Sequence, residues 1–337
     1  FDTTLRDGEQ SPGCWFSHKD SLTLACSLEA IGVDIIEVGF PIACDTIRDS
    51  IKDIASSVKQ STLCCLCRTK EQDIDTAMFA LDKAKSPRLH IFLATSDLHL
   101  EKKLKISRDE ALEKIVTAIQ YAKQFTDDIQ FSAEDATRTD RSFLSSVFSA
   151  AIMAGATTIN IPDTVGCILP SEMITLIAYL NSHVVGIDKV CTSIHCHNDL
   201  GMATANSLAA LEASIDQIEC TINGIGERAG NAALEEVVMA IKTRENFFGC
   251  DTAIRTDAII SLSQWVEKHG GLAVQPNKAI VGKNAFSHES GIHVDGLLKC
   301  EKTYEFLDRN ILGLKDLSIA LGRQSGRQSF KAYLKNI

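Results

Sequence analysis

Two histidines one residue apart, His195 and His197, sit in an apolar run that predicts a strand over Thr192–His197. Side chains at i and i+2 of a strand share a face, so both imidazoles point one way and Cys196 the other. Two convergent imidazoles and one carboxylate leave open positions on a divalent ion, which is what a Lewis-acid catalyst needs. Asp7, just after the expected first strand, is the natural carboxylate, because strands one and eight of a closed barrel lie beside strand seven. The competing reading is a pair of interior histidines hydrogen-bonded to carboxylates with no ion. Nitrogen and oxygen ligation suits Zn, Mn, Mg or Co without choosing among them.

The elements that must position these residues alternate along the chain. Short β-branched runs predict strands at Phe1–Leu5, Val33–Val38, Thr62–Cys67, Arg88–Ala94, Ile129–Ala133, Thr157–Ile161, Thr192–His197 and Gln217–Asn223. Amphipathic stretches between them predict helices at Lys19–Ile31, Thr46–Val58, Glu71–Lys83, Arg108–Phe125, Arg141–Ala154, Ser171–Leu180, Leu200–Ala213 and Ala232–Phe247. Eight such repeats point to an α/β fold, a (β/α)8 TIM barrel over residues 1–250. A doubly wound sheet usually carries a Gly-rich phosphate turn after its first strand, and none is present. From 251 to 337 the repeat stops. Thr256–His269 reads as a helix, Gly270–Lys283 as irregular, and the rest as a small α-rich appendage.

In a TIM barrel the active site lies at the C-terminal strand ends. Arg6, Asp7, Glu37, Arg68, His90, Thr95, Glu134, Asp163, Thr164, His195, His197 and Asn223 all fall on or just beyond those ends. A solvated surface would scatter such groups over both ends of the barrel. The loop Asn223–Asn231 is Gly-rich and precedes a helix, so Gly224, Gly226 and Glu227 could offer backbone amides to an anion. A tight turn without ligand reads equally well.

Composition narrows the class. The chain has 337 residues with a formal net charge of −10 and no long basic run, which disfavours nucleic acid or an anionic membrane as partner. No apolar stretch is long enough for a membrane span. The chain begins at Phe1 and reads as an excerpt. Twelve cysteines are scattered through a chain with ample core, so reduced thiols in a cytoplasmic protein are expected. Cys64 and Cys67 form a CxxC, but inside a strand their sulfurs face opposite sides.

Three motifs carry a resemblance. Phe1–Gln10 (FDTTLRDGEQ), His195–Ala203 (HCHNDLGMA) and the GIGERAGN loop over 224–231 resemble the acyl-CoA Claisen-condensing metalloenzymes. Gln275–Lys299 and Leu321–Arg327 are most similar to the isopropylmalate synthase branch, whose siblings make homocitrate, citramalate or methylthioalkylmalate. The resemblance implies a divalent ion on Asp7, His195 and His197, with Asn231 beside it or as a fourth ligand. It implies that Arg6 stabilises the developing oxyanion, that His90 and Thr164 hold the 2-oxo acid carboxylate, and that Ser132 and Asn160 line the side-chain pocket. Glu134 and His293, the latter from the appendage, would move protons. Gly224, Gly226 and Glu227 would belong to the acetyl-CoA site.

The resemblance further implies a cytoplasmic homodimer in leucine biosynthesis, here as the catalytic region without the C-terminal regulatory domain. Plainer roles compete: Arg6 as a partner of a strand-end carboxylate, His90 as a core histidine, Thr164 as a turn cap, His293 as a surface residue. Cys14-Trp15 and the stretch 42–48 depart from the pattern near the active-site end, which bears on substrate choice and not on reaction type. A non-catalytic binding barrel would have lost Asp7, His195 or His197, and all three are present.

Overall fold

The computed structural model describes residues 1–314, 318–323 and 325–335, so Gln324 of the Leu321–Arg327 motif lies outside the described residues. Seven strands form one parallel sheet in sequence order: β1 (Ile35–Glu37), β2 (Thr62–Arg68), β3 (Pro87–Ala94), β4 (Ile129–Glu134), β5 (Thr158–Asp163), β6 (Cys191–Cys196) and β7 (Gln217–Glu219). The sheet curls until its edges meet at Asp2, which bridges Ile36 on one side and Cys220 on the other. Four backbone bonds make this seam: Asp2 N–H to Ile35 O, Glu37 N–H to Asp2 O and Thr3 N–H to Cys220 O, each 2.9 Å, and Cys220 N–H to Phe1 O at 3.0 Å.

The expected (β/α)8 barrel is present, and its first stave is much shorter than Phe1–Leu5. The reason is local. The Asp2 carboxylate accepts both the Thr4 amide and the Thr4 hydroxyl at 2.9 Å, an Asx turn that ends the extended backbone. The chain then curls over the barrel end, carrying Arg6 and Asp7 with it. The eighth expected strand is cut short likewise, at Glu219, and a 3-10 turn (Ile222–Gly224) follows.

The barrel helices are α1 (His18–Ala30), α2 (Asp45–Ser57), α3 (Glu71–Ala80), the single turn α4 (Asp97–His99), α5 (Arg108–Ala122), α6 (Arg141–Ala154), α7 (Pro170–His183), α8 (Ala203–Glu212), α9 (Leu234–Thr243) and the short α10 (Glu245–Phe248). Each long helix lies within about four residues of its expected span, because hydrophobic periodicity and caps agree. Ser107 and Glu110 close a capping box at the start of α5, and Ser17 caps α1.

Alternation along the strands sorts side chains between two cores. In β4, Ile129, Phe131 and Ala133 turn outward, and the Phe131 ring meets Phe148 of α6 edge-on at 6.5 Å. Gln130, Ser132 and Glu134 turn inward. Cys64 lies inside beside Glu37 and His90, while Cys67 faces α3 through its contact with the Asp73 carbonyl, so the CxxC sulfurs do part. All twelve cysteines are free.

The N-terminal end of the barrel is plugged by a buried polar network. Arg88 binds Asp128 at 2.8 Å, Gln217 at 3.0 Å and Gln130 at 3.2 Å, and Gln217 donates to Gln130 and Ser193. Its members satisfy one another, so the desolvated groups are tolerated.

Beyond residue 250, α11 (Ile259–Gly270) packs on the barrel. Trp265 stacks on Phe16 with 6.3 Å between centroids, and the Asn223 amide donates to Ser263 O. An irregular stretch follows, as expected, then a two-stranded pairing of β8 (Ser287–His288) with β9 (Ser318–Ile319), and helices α12 (Gly291–Lys299) and α13 (Arg327–Lys335). No helix among the described residues is long and apolar enough to cross a membrane.

Candidate active site

The strand ends surround a cavity of about 350 Å³. On one side stand Asp7, His195 and His197, the first from the curl after the seam and the others from β6 and the residue following it. Asp7 Oδ2 is 3.3 Å from His195 Nε2 and 3.8 Å from His197 Nε2, and the two imidazole nitrogens are 3.3 Å apart. Ligands bound at about 2.1 Å to a common ion stand roughly 3 Å or a little more from one another. Three buried donors of the right kind therefore converge at the right spacing.

A fourth observation fits a cation. Asn231 is bridged to His197, and its Nδ2 donates to the Ile225 carbonyl at 3.1 Å, yet its Oδ1 is buried with no partner among the described residues. Gly226 packs so closely that a Cβ there would collide with the Asn231 amide and press on Asp7. The residues present fit a divalent metal, with Asp7, His195 and His197 as ligands and Asn231 in reach.

The charges around these donors are set by burial and partners. Burial works against ionisation of Asp7, but Arg6 and both histidines hold its carboxyl well below the usual carboxylate range. Burial also disfavours the charged form of His195, yet its bonds to Asp7 and Glu219 raise it to about 9. His197 is pushed down to about 4 by burial and by the neighbouring His195. A cation among these atoms would take the place of the His195 proton.

Arg6 ties the two sides of the cavity together. Its NH1 donates to Asp7 Oδ2 at 2.9 Å and its Nε to Glu37 Oε2 at 2.6 Å. The plainer expectation of a strand-end ion pair is met, and Arg6 still lines the cavity. Glu37, fully buried, is held at about 2 against the cost of its burial by Arg6 and His90.

His90 sits in the cavity wall with both nitrogens engaged, Nδ1 to Glu37 at 2.6 Å and Nε2 to Ser132 at 2.5 Å. This is the satisfied arrangement of the plainer reading, while the ring still borders the cavity. Gln130 fixes the tautomer. Its Oε1 accepts from Arg88 and Gln217, so its Nε2 is the donor to Glu219 at 2.5 Å and faces His90 Nε2 at 3.3 Å. His90 Nε2 is then an acceptor, and the hydrogen lies on Nδ1 toward Glu37. Asn160 Nδ2 donates to Ser132 at 2.8 Å, and both residues line the cavity as expected.

Thr164 Oγ1 accepts the Asp135 amide at 2.9 Å and borders the cavity, leaving its hydroxyl hydrogen for a ligand. Glu134 also borders it, paired with Lys103 at 2.6 Å. His293 is not among the lining residues. It lies exposed on α12 with its ring 4.2 Å from that of Tyr304.

Several amides of the Gly-rich loop are engaged within the fold. The amides of Gly224, Gly226 and Gly230 donate to Thr221 O, Ser11 Oγ and Glu227 O, and the Glu227 amide faces Asp7 Oδ1 at 3.5 Å. The loop packs against Asp7 and Asn231. Glu227 and Arg228 border the cavity, and Arg228 is held by Asp199 and the Thr164 carbonyl.

Residues missed from sequence include Glu219, Gln130, Lys103 and Arg228. Glu219 was findable: it stands two positions after Gln217 in an expected strand, on the inward parity beside His195.

Comparisons with known proteins give the family. The HMGL-like family model matches residues 1–266, and the homocitrate synthase post-HMGL domain-like model matches 280–337. Curated 2-isopropylmalate synthases match the whole chain. The one from Dictyoglomus turgidum is 50% identical over 337 residues, which cover 67% of it. Those from Thiobacillus denitrificans and Hydrogenovibrio crunogenus are each 52% identical with 66% covered. The chain thus spans about two thirds of the length of these relatives.

Among solved structures, hydroxymethylglutaryl-CoA lyase from Pseudomonas aeruginosa aligns with a TM-score of 0.70 at 20% identity, over 81% of this chain and 93% of that one. The carboxyl transferase domain of Rhizobium etli pyruvate carboxylase aligns with 0.61 at 17% identity, over 82% and 48%. Those two likenesses bear on the fold alone. On the family match and on identity to curated relatives along its full length, the chain belongs to the HMGL-like family, in the branch of the 2-isopropylmalate synthases.

Proposed function

We propose that this chain condenses acetyl-CoA with 2-oxoisovalerate and hydrolyses the resulting thioester, giving 2-isopropylmalate and free CoA. The observation that carries this reading is the meeting of Asp7, His195, His197 and Arg6 at one wall of a cavity whose other walls include Leu66, Phe92 and Pro162. One side suits a charged 2-oxo acid head, the other a short alkyl chain. A second cavity of about 520 Å³ shares Arg6 and Gln10 with the first and is lined by Trp15 and Phe40, which supports room for an acyl-CoA.

Asp7, His195 and His197 would hold a divalent ion, which when bound would supply Lewis acidity toward the keto group of the substrate. The protein's own groups do the rest. Thr164 donates its hydroxyl hydrogen to the 2-oxo carboxylate. Glu134 takes a proton from the acetyl methyl, and the new carbon–carbon bond forms between that methyl carbon and the keto carbon. Arg6 donates to the oxygen that becomes an alkoxide, an electrostatic role already fixed by its bonds to Asp7 and Glu37. Water then breaks the thioester and CoA leaves as the thiol. His90 holds Ser132 and Glu37 in place.

We infer that His293 acts on another copy's cavity, since it does not line its own. The exposed apolar side chains Ile292, Leu298, Phe306 and Phe330 of the same appendage support a homodimer through it. Twelve free thiols support a cytoplasmic setting.

One observation favours a sibling synthase. Lys103 lines the cavity and could bind the distal carboxylate of 2-oxoglutarate. Its ammonium is already paired with Glu134, however, and a distal carboxylate there would meet a second carboxylate. The test is CoA-thiol release from acetyl-CoA after chelation and metal add-back, across a panel of 2-oxo acids. Release strongest with 2-oxoisovalerate supports the proposal; strongest release with 2-oxoglutarate or pyruvate moves it to a sibling. Metal-independent release would sink it.

A further inference from the structure

We propose that Lys103 is a positioning residue that holds Glu134 over the reacting carbons, an assignment that rests on the synthase reading above. The first observation is the ion pair itself: Lys103 Nζ lies 2.6 Å from Glu134 Oε1, and both side chains border the catalytic cavity. The second is the partner count. Three carboxylates at this end are held at several points: Asp7 by Arg6 and the two histidines, Glu37 by Thr3, Arg6 and His90, Glu219 by His195 and Gln130. For Glu134, Lys103 is the one side-chain donor among the described residues.

The third observation is how the backbone delivers this lysine. After β3 the chain makes the turn α4, capped by Ser96, and then a π-helical turn over Leu100–Leu104. A π turn inserts one residue more than an α turn and rotates the succeeding residues about the axis; such turns recur at functional sites. Lys105 closes it with φ +56°, a left-handed conformation that a lysine rarely adopts, and the Ile106 amide returns to Leu100 O. Buried Leu100 anchors the turn. The neighbouring Lys102 pairs with Glu101 in solvent, whereas Lys103, itself half-exposed, reaches the cavity rim.

The chemistry asks for such a holder. The acetyl methyl is a weak acid, so the carboxylate that deprotonates it must stand at a fixed distance and angle. Glutamate has three side-chain torsions with which to wander. Pinning Oε1 to Lys103 leaves Oε2 as the oxygen that receives the proton. Lys103 touches Glu134 and not the reacting atoms.

The test compares Lys103→Met and Lys103→Arg with the unaltered chain, each loaded with metal and assayed for thiol release. Lys103→Met should lower kcat by about tenfold to a hundredfold while KM for the 2-oxo acid stays within about threefold. Solvent deuterium exchange into the acetyl-CoA methyl should fall with kcat. Metal affinity, measured by chelator competition, should match the unaltered chain, and Lys103→Arg should recover most of the rate. The proposal is overturned if Lys103→Met keeps kcat, if its defect lies in KM or in metal binding, or if arginine rescues nothing. An unaltered chain that releases no thiol with any 2-oxo acid defeats the synthase reading and this role together. An active chain indifferent to Lys103→Met defeats the role alone.

Discussion

Glu219 faces His195 across the β6–β7 pairing, and its Oε2 lies 2.8 Å from His195 Nδ1. A carboxylate behind a metal-binding imidazole fixes the ring orientation and the tautomer, and leaves Nε2 as the ligand atom. Replacing Glu219 by Gln should therefore weaken metal affinity by roughly tenfold to a hundredfold. Chelator competition measures it, and an affinity within twofold of the unaltered chain would count against the arrangement.

Gly226 has no room for a side chain. A methyl group there meets the Asn231 amide and Asp7, so Gly226→Ala should displace one or both. The expected result is a smaller stabilisation by added metal in thermal unfolding, with little change in the melting of the metal-free protein. Equal metal-induced shifts in the two proteins would show that the wall gives way without cost.

Asp2, fully buried at the barrel seam, has its carboxyl raised from 3.8 to about 6, burial outweighing its bonds to Thr4. Between these values the native state holds a proton that the unfolded chain has lost. This contribution to stability is complete below about pH 4 and is lost as pH rises through about 6, with a slope of at most about 1.4 kcal/mol per pH unit. Asp2→Asn cannot titrate. The stability of Asp2→Asn minus that of the unaltered chain, from urea unfolding, should climb between about pH 4.5 and about 6.5 and then level off. A flat difference would refute the assignment.

Phe131 is fully buried on the outer face of β4 against Phe148. Phe131→Ala should destabilise the fold by about 3–5 kcal/mol, through lost burial and the cavity left behind. Because this side chain points away from the strand-end cavity, metal affinity of the folded fraction should not change. A loss below about 1 kcal/mol would mean that α6 collapses onto the gap.

Much of this was legible before the structure. The HxH spacing put both imidazoles inside, and the order of staves put Asp7 beside them, because strand parity and barrel closure are properties of pattern. Helix bounds followed from caps and periodicity. The features that escaped depended on contacts between elements distant in sequence. His90 looks like a free imidazole until Glu37 and Ser132 are seen on either side of it. The Gly-rich loop reads equally as open amides or as a tight turn, because its sequence does not reveal that Thr221 and Ser11 take the Gly224 and Gly226 amides. Lys103 escaped because a π turn leaves no periodic trace. The length of the first strand was misjudged because an Asx turn needs only the side chain of Asp2 to stop it.

The brevity of the seam at Asp2 would couple ring closure to metal loading at the proposed site. Asp7 is attached to the barrel through the few residues that stitch β1 to β7, while both histidines belong to β6 and its end. An ion shared by the three would act as a buckle across the joint: opening the ring would strip away a ligand, and losing the ion would free the ring to breathe. Amide hydrogen exchange at Thr3, Glu37 and Cys220, whose N–H groups form the stitches, should therefore slow when metal binds, ahead of any amide deeper in the sheet.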